Sequence, residues 1–442
     1  MIWLFIAASL ILSLLPLINK KIDISSYMWL LIPIDAYGIS IAGATVKPFM
    51  LFALLLPLIL HSKNRGNELE LYASKGQLLA GVLSILILTQ SIFVGDASYT
   101  IKAALIIVIV YISAQLYVSC SDCKKSEELS DVFIASCFGC SIVFIITYFL
   151  LKNGIEIDGI TTTDRAESGM FMQLSNMVNG SYIEVYRLRG FAYDPNTMFI
   201  QFIFGITACT SRLFKKFSFY YIMTLVMSIF CILLSSSRMG IICCACAIVI
   251  TLAANINQYT NVKKKVASIT SVILLFVSLL VFAISRLGQS MLSSILSTYS
   301  NRSSLTDEYG RFSIWKECLE IYWNKSPLFG VGIGQMSKMT VTERMTHNTW
   351  LEFICECGII VGGFAVIYFL TIAVIGWSKT RANHINHPDN TSYLTIVIGY
   401  TMTLMSLVSV DNITCSYLWF TALLLLKMAQ YAKIKENIFL KE

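Results

Sequence analysis

Long apolar runs separated by short polar stretches recur along the whole chain. A helix that crosses a bilayer needs about 20 mostly apolar residues. On that measure the pattern predicts about twelve spans: 1–19, 46–62, 76–94, 99–119, 131–151, 191–211, 217–234, 238–256, 266–285, 350–376, 392–410 and 413–432. Two long polar tracts break the rhythm, 152–190 and 286–349. Within the second, Phe312, Trp315, Leu319 and Tyr322 fall at helical spacing, which predicts an amphipathic helix lying at the membrane surface. Residues 27–45 are hydrophobic but carry Pro33, Asp35, Gly38 and Gly43, which suits an interfacial or re-entrant segment better than a span.

Composition sharpens this picture. A chain of 442 residues that is 56% hydrophobic and only 13% charged has too little polar surface to coat a water-soluble globule. The expected fold is an all-α, polytopic membrane helix bundle forming one membrane domain over 1–442. The first run lacks a basic leader and a small-residue cleavage site, so it is expected to stay as the first helix. Basic residues follow alternate spans: Lys63 and Arg65, Lys124 and Lys125, Arg212 and Lys215, Lys263 to Lys265, Lys379 and Arg381, then Lys433 and Lys435. By the positive-inside rule that side is the cytoplasm, and both termini are expected there. Lys20 and Lys21 dissent. The two polar tracts then face outward. The net charge of +7 sits mostly in the cytoplasmic loops and suggests no nucleic-acid partner.

Most of the thirteen cysteines lie inside apolar runs, as small buried residues. Cys120 and Cys123 form a C-x-x-C without a second pair at zinc-ligand spacing. No glycine-rich phosphate loop ending in Lys-Ser or Lys-Thr occurs, and no Asp-x-Asp lies in an outward tract, so neither ATP nor a metal cofactor is expected.

The outward face breaks the positive-inside rule at a few arginines. Arginine at a membrane boundary is costly unless it pairs, snorkels or lines a wet cavity. Its guanidinium fork matches phosphate oxygens and stays charged at any working pH. Arg187 reads as a solvated loop residue. For Arg189, snorkelling or pairing with Asp194 competes with substrate contact. Arg238 follows Ser235-Ser236-Ser237 between two apolar helices with little room to reach bulk water, which favours function. Arg311 opens the amphipathic segment, where Asp307 or Glu308 are alternative partners. His347 is the histidine of the outward tracts, and a neutral imidazole can accept a proton near neutral pH. The plain alternative is a capping or carbonyl-bonding role at a helix start. Glu352 and Asn348 are possible support for it, with Glu356 further along. Asp194 and Pro195 read as a helix cap and first turn.

These residues fall in an order that resembles a known family. Arg189-Gly-Phe-x-x-x-Pro195-Asn196, Ser235-Ser-Ser-Arg238-x-Gly240, Gly310-Arg311-x-x-x-Trp315, Pro327-x-x-Gly330-x-Gly332 and His347-Asn348-x-x-Leu351-Glu352 resemble the O-antigen ligase and polymerase superfamily of bacterial inner-membrane glycosyltransferases. The resemblance implies a GT-C-like fold, an undecaprenyl-pyrophosphate-linked oligosaccharide donor and a periplasmic active site. It further implies Arg238 and Arg311 on the pyrophosphate, Arg189 as a further contact and His347 as general base. The acceptor is another lipid-linked repeat unit in a polymerase, or lipid A core in a ligase. A chain-length regulator is a possible partner. Val361 stands three residues after Gly358, where the ligase pattern carries Gly, Thr or Tyr. That departure, with the long individual outward tracts, favours the polymerase. A lipid-linked oligosaccharide flippase is the alternative from another class; it predicts charges deep within spans and an internal duplication.

Overall fold

The computed structural model describes residues 1–41, 44–63, 73–94, 97–121, 127–155, 157–163, 169–178, 181–256, 310–341, 346–386, 391–410 and 412–439. In chain order these form α1 (Ile2–Leu14), α2 (Met28–Leu31), β1 (Ile39–Ile41), β2 (Ala44–Val46), α3 (Pro48–Lys63), α4 (Lys75–Phe93), α5 (Ala97–Cys120) and α6 (Glu127–Lys152). Then come β3 (Thr161–Thr162), β4 (Phe171–Val178), β5 (Ser181–Leu188), α7 (Pro195–Lys215), α8 (Phe219–Leu234) and α9 (Arg238–Ile256). The last helices are α10 (Arg311–Lys325), α11 (Met336–Met339), α12 (Thr349–Asn386), α13 (Thr391–Ser406) and α14 (Ser416–Phe439).

Every predicted span coincides with a helix except 350–376, which is broken at Gly358, and 266–285, which lies outside the described residues. Among the described residues, six helices are long and apolar enough to cross a membrane, and shorter apolar helices accompany them. The protein is a polytopic helical membrane protein. In hydrocarbon a backbone must satisfy its own N–H and C=O groups, so apolar runs become helices.

The expectation of an all-α fold needs one correction, because two small sheets are present. β1 and β2 pair antiparallel, with Ile39 opposite Val46. In the other sheet β3 runs parallel to β4, and β4 pairs antiparallel with β5 from Phe171↔Leu188 to Val178↔Ser181. The two residues between Val178 and Ser181 are Asn-Gly, the strongest short hairpin signal in a sequence. Among the described residues of 27–46 there is a four-residue helix and the paired strands β1 and β2, and no spanning helix.

The described chain falls into two compact units, Met1–Lys21 with Ser130–Arg302, and Ile22–Leu129 with Ser303–Glu442. In the first, α7 is the central helix. Asp194 caps it by accepting from the Asn196 N–H at 2.6 Å, and Pro195 opens its first turn. Phe199, Phe202, Phe204 and Ile206 are buried along it. α1 runs antiparallel to α6: Lys20 pairs with Asp131 at 2.9 Å, and Ser9 Oγ lies 3.1 Å from Cys140 Sγ. Asp131 also meets Arg212 at 3.7 Å, so Lys20 shares an end of this unit with Arg212.

In the second unit α14 is the buried centre, with Trp419 and Phe420 wholly enclosed. Trp29 donates to the Tyr117 hydroxyl at 2.8 Å and packs near Phe420. Asp35 accepts from Lys47 at 2.6 Å and from Ser416 at 2.9 Å, a buried ion pair whose residual lone pairs are partly satisfied by a hydroxyl.

Candidate active site

In the first unit three of the arginines lie around one serine turn and the strand that faces it. Arg187, expected to be solvated, is buried and its Nε donates to the Ser235 carbonyl at 3.1 Å. The correction has a simple cause: Arg187 belongs to β5 and is paired across the sheet with Met172, which a loop reading misses. Arg189 is among the largest fully buried side chains. Its N–H and that of Gly190 both donate to the Met170 carbonyl at 2.9 Å, and Gly190 turns the chain with φ 62° against Phe144.

The three serines themselves build the turn. The Ser235 hydroxyl donates to Ile232 at 2.7 Å, buried Ser236 takes a left-handed φ of 51°, and the Ser237 hydroxyl accepts from the Gly240 N–H at 3.2 Å. Arg238 is the first residue of α9 and is exposed, contrary to the expectation that so short a turn keeps it from water.

The second unit holds Arg311, His347, Asn348, Glu352 and Glu356. Arg311 is the first residue of α10 and is half-buried. α10 carries two apolar faces, one of them packed within its unit. Ile314, Cys318 and Tyr322 pack with Val331, Met336 and Cys355, whereas Phe312, Leu319 and Trp323 are exposed. Two apolar stripes lie side by side on this helix, and Phe312 and Leu319 of the expected stripe stay on its outer face, as a helix lying at a membrane surface requires. Burial pushes the Cys318 thiol up to about 12, with Glu317 and Glu356 acting in the same direction, so it is a packing residue and no nucleophile.

α12 is not one straight span. Gly358 interrupts it with φ 75° and ψ 169°. The Trp350 and Phe369 rings lie 6.5 Å apart although 19 residues separate them, about 28 Å along an unbroken helix. Phe353 likewise meets Gly362. The segment from Thr349 to Cys357 therefore folds back along the span that follows.

The glycine motif makes that fold-back. Val331 and Gly332 donate to the Cys355 and Glu356 carbonyls at 3.0 and 2.9 Å, and Ile359 donates to Pro327 at 3.0 Å. Gln90 of α4 bonds the Phe329 and Glu356 carbonyls. Glu356 is buried and accepts from the Gly334 and Met336 N–H groups at 2.7 and 3.2 Å, so its carboxylate staples the glycine turn. A Cβ on Gly358 would stand 2.6 Å from the Gly330 nitrogen. A positive φ combined with an extended ψ is essentially restricted to glycine and costs another residue about 1–3 kcal/mol before that clash is counted. Gly358→Ala is accordingly expected to lower folded protein in membrane fractions severalfold, read by immunoblot and by thermal denaturation in detergent.

His347 ends the polar tract at the start of this returning segment. It is half-buried with φ 49°, one of two non-glycine residues with positive φ among those described. Asn348 is the helix cap, its Oδ1 accepting from the Trp350 and Leu351 N–H groups at 3.1 and 3.2 Å. That is a structural form of support. Glu352 lies one turn further on and is half-buried.

Residues 223–368, from within α8 to within α12, match the O-antigen ligase family. Over that stretch, about a third of its length, the chain is similar to the O-antigen ligase family. Arg238, Arg311, His347, Asn348, Glu352 and Glu356 fall inside the O-antigen ligase match, while Arg187 and Arg189 precede it. The family implies glycan transfer from lipid-linked substrates. No curated protein matches the chain.

Proposed function

We propose that the protein is an O-antigen polymerase of the bacterial inner membrane, a GT-C-like enzyme with about twelve spans. It transfers glycan from an undecaprenyl-pyrophosphate donor to a hydroxyl of another lipid-linked repeat unit, with inversion and without a metal. His347 removes the hydroxyl proton as the new bond forms. Arg238 and Arg311, with Arg189, stabilise charge growing on the departing pyrophosphate, an interaction stronger in the transition state than in the ground state. The observation that carries this reading is His347, a strained and half-buried histidine inside the matched domain. Strained backbone persists where surrounding structure over-determines it, and it clusters at working sites.

The family description favours a ligase as the second reading, with lipid A core as acceptor. Complementation of a strain lacking the protein separates the two. Loss of the glycan ladder with a single core-attached repeat retained marks a polymerase, and loss of all core-attached glycan marks a ligase. A flippase instead leaves lipid-linked repeats accumulated on the cytoplasmic face.

Both termini are proposed to lie in the cytoplasm, the side on which the basic residues after alternate spans fall. Epitopes at Met1 and at Glu442 are each expected to be cleaved by protease only after spheroplasts are permeabilised. Cleavage of either tag in intact spheroplasts removes this assignment.

A further inference from the structure

His347 is held from both sides by residues outside the proton-transfer chemistry. On its N-terminal side the Trp315 indole N–H donates to the Thr346 carbonyl at 2.8 Å, tying the residue before His347 to α10. The Thr346 hydroxyl donates onward to the Asn348 carbonyl at 3.2 Å, bridging over the histidine. On the C-terminal side Thr349 is wholly buried. Its N–H donates to Leu407 at 2.8 Å, its hydroxyl donates to Val410 at 2.6 Å and accepts from the Asn412 N–H at 2.9 Å. The backbone of His347 is thus fixed within two residues on one side by α10 and on the other by the connection between α13 and α14.

We infer that Trp315 and Thr349 are positioning residues that aim the His347 imidazole for proton removal. The inference rests on His347 being the base. A left-handed histidine has few ways to stay in place by itself, since its own backbone energy favours relaxation to negative φ. The two clamps supply the constraint. Release of either lets the peptide relax and swings the ring. A misplacement of about 1 Å of a catalytic group costs about 10²-fold in rate.

The test uses the full-length protein in membrane vesicles, with lipid-linked glycan extracted from cells lacking it as donor and acceptor. Trp315→Phe keeps an aromatic ring and removes the N–H. Thr349→Val removes the hydroxyl at nearly constant volume, and Thr349→Ser keeps it. Rates are taken per folded molecule. Trp315→Phe and Thr349→Val are each expected to lower kcat by about 10–100-fold with KM within about twofold, and Thr349→Ser to restore kcat. If Thr349→Val does not fold, Trp315→Phe alone decides. Unchanged kcat in Trp315→Phe, or a loss carried by KM alone, overturns the inference. His347→Asn run beside them separates the two failures. An inactive His347→Asn with fully active clamp variants overturns the positioning roles only, and an active His347→Asn overturns the base assignment beneath them.

Discussion

Replacing His347 by glycine or asparagine is expected to leave a folded, membrane-inserted protein that has lost glycan transfer by about 10²–10⁴-fold, the usual contribution of a general base. The pair of substitutions is chosen from the backbone. At φ 49° glycine fits without strain and asparagine tolerates the conformation better than most residues. If His347 serves only to turn the chain into the cap at Asn348, glycine should be at least as stable and as active as histidine. If the imidazole carries the proton, both variants fail although neither harms the turn. Alanine alone does not separate these cases, because it adds strain where it removes the base. Gel analysis of surface glycan, with immunoblots and detergent melting curves for each variant, reads both quantities. Wild-type banding from the glycine variant would remove the base from the mechanism.

The helical spans were legible because the bilayer leaves an apolar run almost no other choice. The cap at Asp194 and Pro195 was legible too, since that chemistry is local in sequence. Elsewhere the outcome depends on which of two equal local patterns the rest of the chain selects. Phe312 and Leu319 of α10 have the same spacing logic as Ile314 and Cys318, and only the residues that face the helix decide between them. The β4–β5 hairpin had a usable signal in Asn179-Gly180, hidden by the habit of reading a polar tract as loop. Arg187 belongs to the same hairpin, and its burial follows from that pairing. The fold-back of α12 left one trace, a glycine inside an apolar run, and the chain's partners for that glycine lie near Gly330. The Asp35–Lys47 pair gave no sequence signal of its own beyond two charges twelve residues apart. His347 could be named from composition and order, but its strained backbone and its clamps could not.

Arg311→Ala is expected to cut transfer by about 10²–10³-fold, the scale seen when a pre-organised donor to a developing oxyanion is removed, with a loss of stability too small to account for it. The helix dipole contributes to keeping that loss small. Arg311 is the first residue of α10 and Arg238 the first of α9, where the helix presents the positive end of its dipole. The dipole alone disfavours a cation there by about 0.3–1 kcal/mol in an exposed helix, so two helices of this chain start with a charge that opposes their own dipole. Such a violation is expected where an anion is meant to arrive: helix N–H groups and a guanidinium then act on the same phosphate. Arg311→Lys keeps the charge but loses the two-pronged geometry, and is expected to retain an intermediate rate. The ordering Arg above Lys above Ala in rate, against a nearly flat ordering in melting temperature, is the signature of a residue kept for its ligand. A fall in melting temperature that tracks the fall in rate across the same three variants would instead make Arg311 part of the scaffold, and would leave the pyrophosphate to other side chains.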